Sequence, residues 1–377
     1  MPKVSRGLHR LWRMLRIPLL ILIVVLVAPL IFIGIACGPF RAAAPTPPSP
    51  RDAAVAAAWA NVSEHLRPED QTYLTFPEWY IVFSADELAA SLAQRPPSHF
   101  PFLASVWQYW RGYAGVCAVT KGNYEFNSGY HLMLYVIGAS FTLENGTKGI
   151  YEGTIGRFTE WISSDELTPE DALARQYAKE YGDFIHAIPW FDFPYLEKLR
   201  ALWTTTGWWG PNPIRKWERK VALSTELIGK AAYGALIGWG NEVTYGAVDM
   251  AIYAVVTGIN DEILDALPEI HLVQQIDEQQ TMITIPHYQP FTDLVPELAK
   301  RGVHFVEFAG NDHVMLTAFA PREWQYNLTD ADLMFAMPVL IDPTHQRIGL
   351  NIPVPALHSV LAQMAAQGIT VEHLYDY

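Results

Sequence analysis

The pattern of apolar and polar positions divides the chain into four stretches. Residues 17–37, IPLLILIVVLVAPLIFIGIAC, run without a charge. At ~1.5 Å per residue such a run is ~31 Å long as a helix, matching a ~30 Å hydrocarbon layer, so it predicts a transmembrane helix. Residues 38–51, GPFRAAAPTPPSPR, hold five prolines and predict an extended linker close to polyproline II. From Asp52 to about residue 246 the spacing is helical. Val55, Trp59, Val62 and Leu66 fall at i, i+4, i+7 and i+11, and Pro68 closes that run. Ser84 and Glu87 read as a capping box. Thr168, Pro169 and Asp171 read as cap, first-turn proline and first-turn acid of a helix with Leu173, Tyr177 and Phe184 as its buried stripe.

After about residue 250 the pattern shortens to β-rich runs: AIYAVV, HLVQQI, TMITIP, VHFVEF, HVMLTAF, LMFAMPVLI, RIGLNIP and ITVEHLY. Helical segments are expected at 290–301 and 356–367. The fold class is therefore α+β: a transmembrane helix, a helical domain over 52–246 and an α+β domain over 247–377. The last domain contains an apparent repeat. Ile276-Asp277 recurs as Ile341-Asp342, Ile285-Pro286 as Ile352-Pro353 and Gly302 as Gly368, at offsets of 65, 67 and 66. Each copy reads strand, strand, helix, glycine, strand, a β-β-α-β unit of ferredoxin-like or related type, with the glycine as left-handed C-cap. Chance likeness between two such units is the competing reading.

Charge sets the topology. The net charge is −13, but residues 1–16 carry Lys3, Arg6, Arg10, Arg13 and Arg16 with no acid, so the remainder stands at −18. Cations before the apolar run place the N-terminus in the cytoplasm and the body outside. An acidic body repels phosphate backbones, which argues against nucleic acid as a partner. A cleaved signal peptide with Ala42 and Ala44 at its site, or lipidation at Cys37, are the competing readings. Signal cores run only ~7 to 15 residues, which favours retention as an anchor. The two cysteines, Cys37 and Cys117, have no metal spacing, and one body cysteine predicts a core without disulfides; no metal site is expected.

Polar groups in the helical domain supply the candidate chemistry. Gly146, Gly149, Gly153 and Gly156 fall on one helical face and predict close approach of another element, with Gly234 and Gly238 as candidate partners. A Gly-rich turn between two helices is the alternative. Glu144, Lys148 and Glu152 fall at i, i+4 and i+8 in continuation of an apolar run. They form either a solvated charge row or, if buried, an acid/base site with His131 or His186 nearby. Asp183 and His186 share a face but lack further ligands at matching spacing. Glu78 reads as a first-turn acid complementing a helix dipole, and Asn311, Asp312 and His313 as a hairpin turn. Walker, dinucleotide, nucleophile-elbow and HExxH motifs are absent from the sequence.

LWTTTGWWGPNPIRKWERK, residues 202–220, combines tryptophans with bases. Ile214, Trp217, Val221 and Ile228 keep helical spacing, so Trp217 is expected to face the helical core. Arg215, Lys216, Arg219 and Lys220 then occupy the first turns, where the helix dipole disfavours cations. With Trp208 and Trp209 in the preceding loop, the six are expected either to contact membrane headgroups or to dock on an acidic part of the body.

At TFPEWYIVFS, ASFTLENGTKGIYEGTIG and FVEFAGND the sequence resembles a family of uncharacterised bacterial membrane-anchored proteins, over most of residues 70–320. The resemblance implies a bacterial envelope location, in which the topology read from charge places the chain in the inner membrane with the body in the periplasm. It carries no activity, cofactor or site residue with it. Two function classes follow: a tethered envelope protein that binds a partner protein or lipid, or a membrane-interface enzyme using Glu144, Lys148, Glu152 and His186.

Overall fold

The computed structural model describes residues 16, 20, 23–24, 26–38, 51–163, 167–186, 188–241 and 251–375. The basic segment up to residue 15, part of the apolar run and linker residues 39–50 lie outside the described residues, as does the domain boundary expected at 246/247. Residues 26–36 are helical (α1). Among the described residues no helix is long and apolar enough to cross a membrane.

The helical part comprises α2 (Ala53–Ala60), α3 (Asp70–Leu74), α4 (Phe76–Gln94), α5 (Phe102–Asn123), α6 (Ser128–Tyr151), α7 (Arg157–Ile162), α8 (Pro169–Ile185), α9 (Tyr195–Thr205) and α10 (Pro213–Asn241). Asp52 caps α2 through its carboxylate on the Ala54 N–H, and Val55 and Trp59 are buried in it as expected. The predicted box at Thr168 and Asp171 forms, with side chain and backbone bonded reciprocally. The box predicted at Ser84 and Glu87 does not. Both residues lie inside α4, where Ser84 bonds Ser105 at 2.7 Å and Glu87 accepts from Arg347 at 2.9 Å. A long-range partner claimed each side chain that the local motif had assigned to a cap. The glycine-rich stretch is not a turn: α6 passes through one π-helical turn, Glu152–Gly156, directly into α7.

The C-terminal part holds β1 (Ala251–Thr257), α11 (Asp261–Ala266), β2 (His271–Gln275), β3 (Gln280–Pro286), α12 (Gln289–Lys300), β4 (His304–Phe308), β5 (His313–Pro321), β6 (Asp332–Pro338), β7 (His345–Pro353), α13 (Leu357–Ala366) and β8 (Thr370–Tyr375). Every predicted run is a strand. They form two antiparallel four-stranded sheets, ordered β2-β3-β1-β4 and β6-β7-β5-β8. The order is the same in both when strands are counted within each unit: second, third, first, fourth. Each unit has three strands before its helix, one more than the expected β-β-α-β. The repeat positions serve the same role in both. Gly302 and Gly368 have φ of 86° and 70° after their helices, the left-handed cap that glycine accepts without strain. Asp277 and Asp342 each accept a backbone N–H two residues on, from Gln279 at 2.7 Å and Thr344 at 2.9 Å, closing equivalent hairpins.

The two sheets and α12 and α13 enclose one apolar core containing Ile252, Ile283, Phe291, Leu316, Ile348 and Val360. The far face of the second sheet is covered by α4 and α5, where Phe76, Tyr80 and Tyr113 meet Met315, Phe335 and Tyr375. The buried Arg347 of β7 ties the layers together, bonding Glu87 of α4 and Glu372 of β8. Although α2 precedes the helical layer, it packs on the first sheet, with Trp59 against Val255 and Met282.

The α1 helix is held against this body. Its Phe32 ring meets Trp110 edge-on at 5.2 Å, and the Tyr135 hydroxyl of α6 donates to the Leu26 carbonyl at 3.0 Å. Cys37 is disulfide-bonded to Cys117 of α5, 80 residues away. This corrects the expectation of a body without disulfides: the partner of the body cysteine is the one at the end of the apolar run.

Candidate functional site

The α6 and α10 helices run antiparallel, and polar groups line the whole seam between them. Ser140 meets Tyr233 at 2.9 Å, and Lys148 bonds Glu144 at 2.9 Å and Glu226 at 2.7 Å. Lys230 reaches Glu144 at 3.0 Å. Further along, Arg219 grips Glu152 with two bonds of 2.9 and 3.0 Å, and Tyr151 donates to Glu218 at 2.7 Å. At the end of the seam Arg215 bonds the Gly156 carbonyl at 3.2 Å, Thr159 at 3.0 Å and Asp171 at 2.8 Å. Lys216 bonds Glu170 at 2.8 Å, and Lys220 lies 3.5 Å from the same carboxylate.

Local sequence explains the ladder. Glu144–Lys148 on α6 and Glu226–Lys230 on α10 are both i, i+4 pairs with the acid first, the favoured order on a helix. Set antiparallel, they form a square of alternating charge. At the other end the first turns of α8 and α10 meet. The acids Glu170 and Asp171 of one helix offset the unfavourable placement of Arg215, Lys216 and Lys220 at the start of the other, and Glu152 and Glu218 do the same for Arg219.

The electrostatics oppose proton transfer at the square. Burial pushes the Glu144 carboxyl up, but the Lys148 and Lys230 ammoniums outweigh it and hold it well below the ordinary range. Burial likewise disfavours the Lys148 and Lys230 ammoniums, yet their carboxylate partners raise both above the ordinary lysine value. A carboxylate and lysines held charged serve poorly as acid and base near neutrality. Burial raises Glu152 more than Arg219 lowers it. His186 lies apart from these groups and bonds Asp86 at 2.8 Å, which raises its pKa. Asp183 pairs with Lys179 instead. The structure therefore brings Glu144, Lys148 and Glu152 into one seam and leaves His186 out.

The α10 helix turns its basic stripe inward. Arg215, Lys216, Arg219 and Lys220 are each at most 3% exposed, so they are not available to headgroups and the membrane contact expected of them is corrected. They dock on acids of the body because a buried cation is tolerated only when paired and hydrogen-bonded. Ile214, Val221 and Ile228, which share the helical spacing of Trp217, are exposed by more than half, as is Leu236. On α6 the exposed positions include Leu132, Val136, Leu143 and Ile150. No exposed position of α6, nor of α10 up to Ile237, carries a charge. At about 100° per residue, Leu143 and Ile150 lie about 100° to one side of the seam on α6, and Val221 and Ile228 lie about 140° to 160° from it on α10. In an antiparallel pair those rotations point the same way, so the two apolar stripes form one continuous face.

The tryptophans divide between two environments. Trp203, Trp208 and Trp217 surround the Lys220 ammonium, with ring centroids 5.1, 5.9 and 5.8 Å away. Trp209 is 82% exposed, and Trp161 at the end of α7 is 79% exposed, both at the same end of the helix pair. Of the glycines, Gly149 packs on α5, where a Cβ would stand 3.1 Å from that of Phe102. Gly146 and Gly153 face open space, and Gly234 lies against Phe191 rather than α6.

A second cluster lies at the end of α1. Cys37, Cys117 and His131 are buried, and their sulfurs and one imidazole nitrogen all lie within 4.8 Å of one another. The His131 Nδ1 is 2.6 Å from the Tyr113 hydroxyl, and its ring stacks on Phe126 at 4.4 Å. Burial lowers the His131 pKa to about 4, so the imidazole is neutral at physiological pH. Asp70, Thr120, Tyr124 and Asn127 line the adjoining cavity. Sequence spacing could not reveal this cluster, because its members come from three helical regions. No family model matches this chain, and no curated protein or solved structure matches it either.

Proposed function

We propose that this is a membrane-anchored protein of the bacterial cell envelope that binds the lipid bilayer through the joint apolar face of α6 and α10. In this reading residues 17–37 hold the chain in the inner membrane as a single span, and the body lies in the periplasm. The carrying observation is the inverted polarity of α10: its cations and acids turn inward, while its exposed residues are apolar or uncharged. Water would favour the opposite arrangement, whereas hydrocarbon penalises charge and tolerates exposed Ile, Val and Leu. The far side of the same helical layer is polar, with Lys179 and Asp183 of α8 exposed, so the contact is one-sided. Exposed Trp161 and Trp209 suit the headgroup level at the end of the pair. The resemblance at TFPEWYIVFS and ASFTLENGTKGIYEGTIG supports the same location. We further infer that the two C-terminal units arose by duplication, supported by their common strand order and equivalent caps.

The test is photo-cross-linking of the full chain in nanodiscs, with a photoreactive residue placed in turn at Ile150, Val221 and Lys179. Lipid adducts at the first two positions and none at the third are expected. Adducts equal at all three, or absent from the first two, would overturn the reading.

A further inference from the structure

We propose that Cys37, Cys117 and His131, once the disulfide is reduced, form a binding site for a thiophilic d¹⁰ cation of the Zn²⁺ or Cu⁺ class. Two cysteine sulfurs and an imidazole are the donor set such ions prefer. In the oxidised chain the sulfurs are bonded to each other and the site is closed to metal. A dithiol reductant opens it. One thiolate of the reductant attacks a cysteine sulfur, the S–S bond breaks, and the other cysteine leaves as thiolate. The second reductant thiol then resolves the mixed disulfide. Two electrons pass to the cysteine pair, the reductant ends as a disulfide, and its two protons leave the new thiols when a divalent metal binds.

The geometry needs little adjustment. Tetrahedral zinc ligands stand roughly 3.5 to 3.8 Å apart, given Zn–S of ~2.3 Å and Zn–N of ~2.0 Å. The three donor atoms already fall within 4.8 Å of one another. The His131 ring is already held in place by its neighbours. Tyr113 engages Nδ1, leaving Nε2 for a metal, and Phe126 fixes the ring plane with an interplanar angle of 7°. The adjoining cavity, with the buried Asp70 among its lining residues, offers room for a fourth ligand. The site joins the end of α1 to α5 and α6, so either the disulfide or the metal would hold α1 to the body.

The experiment uses the full chain in detergent, oxidised and after treatment with excess dithiothreitol followed by its removal under argon. Thiols are counted, and Zn²⁺ and Co²⁺ are titrated against a chromogenic chelator. The expected result is two thiols and one tight metal equivalent in the reduced chain, with a sulfur-to-cobalt charge-transfer band, and neither in the oxidised chain. Cys117→Ser abolishes the band. Tyr113→Phe, which keeps all three ligands, weakens binding by roughly 10-fold or more through the freed imidazole. A folded, reduced chain that binds metal no more tightly than Cys117→Ser would overturn the proposal. So would a disulfide that yields only on unfolding, or binding unchanged by His131→Gln.

Discussion

Arg219 of α10 and Glu152 of the π-turn face each other in a two-bonded fork, with guanidinium nitrogens 2.9 and 3.0 Å from the two carboxylate oxygens. The fork lies where α6 gives way to α7, and its residues are buried on both sides. Removing Glu152 takes away one of the two carboxylates that Arg219 bonds and leaves Glu218 alone to offset its buried charge. Glu152→Ala is therefore expected to cost about 1.5 to 3 kcal/mol, read as a lower melting temperature of the purified chain. Replacing both residues with methionine should recover much of the loss. A Glu152→Ala chain as stable as the parent would show that water reaches the fork.

The glycines of α6 separate by what stands opposite them. Gly149→Leu would push into Phe102 and Leu103, an overpacking expected to cost about 1 to 3 kcal/mol. Gly146→Ala meets nothing within 4 Å and should stabilise the helix by about 0.5 to 1 kcal/mol. Melting curves of the two variants should move in opposite directions. Parallel shifts would mean that α6 packs differently along this face.

Glu78 does more than complement a helix dipole from the first turn of α4. It is largely buried, and burial raises its pKa to about 7 although the Tyr130 hydroxyl donates to it at 2.6 Å. A carboxyl whose folded pKa lies above the ordinary 4.5 favours the folded state while protonated. That contribution is complete below pH 4.5 and is lost as pH rises through about 7. Glu78→Gln should therefore gain stability relative to the parent between pH 5 and pH 8, by on the order of 1 to 3 kcal/mol. A pH-independent difference in melting temperature would assign the stabilisation to something other than this titration.

Trp208 and Trp209 should behave differently when changed to alanine. Trp208 contributes to the ring cage around Lys220, so its loss should lower the melting temperature. Trp209 is 82% exposed, so its loss should leave stability within about 0.5 kcal/mol while reducing quenching of the chain's fluorescence by brominated lipids. If Trp209→Ala quenches like the parent, that ring does not reach the bilayer.

Topology has a direct test. A reporter enzyme fused after Tyr377 should be active in the periplasm, because the five cations precede the apolar run. Activity confined to the cytoplasm would reverse the assignment, and a soluble mature chain beginning near Pro45 would remove the anchor.

Local rules were enough for much of the fold. The eight strands and the Thr168 cap follow from period-2 runs and hydrogen bonds made within a few residues. The glycines at 302 and 368 follow from the left-handed conformation that ends a helix. The seam was half legible, since Glu144–Lys148 and Glu226–Lys230 have the spacing of paired charges. What only the tertiary structure decided is which face of α10 turns inward. Helical periodicity separates Arg215, Arg219 and Glu226 from Ile214, Val221 and Ile228, but the two stripes are symmetric until the surroundings are known. The expectation that apolar residues face inward assumes water outside. The acids of α6 and α8 drew the basic stripe in and left the apolar one exposed. The Cys37–Cys117–His131 cluster and the Arg347 pairing with Glu87 were likewise invisible in sequence, because each joins residues that become neighbours only when separate helices and strands pack.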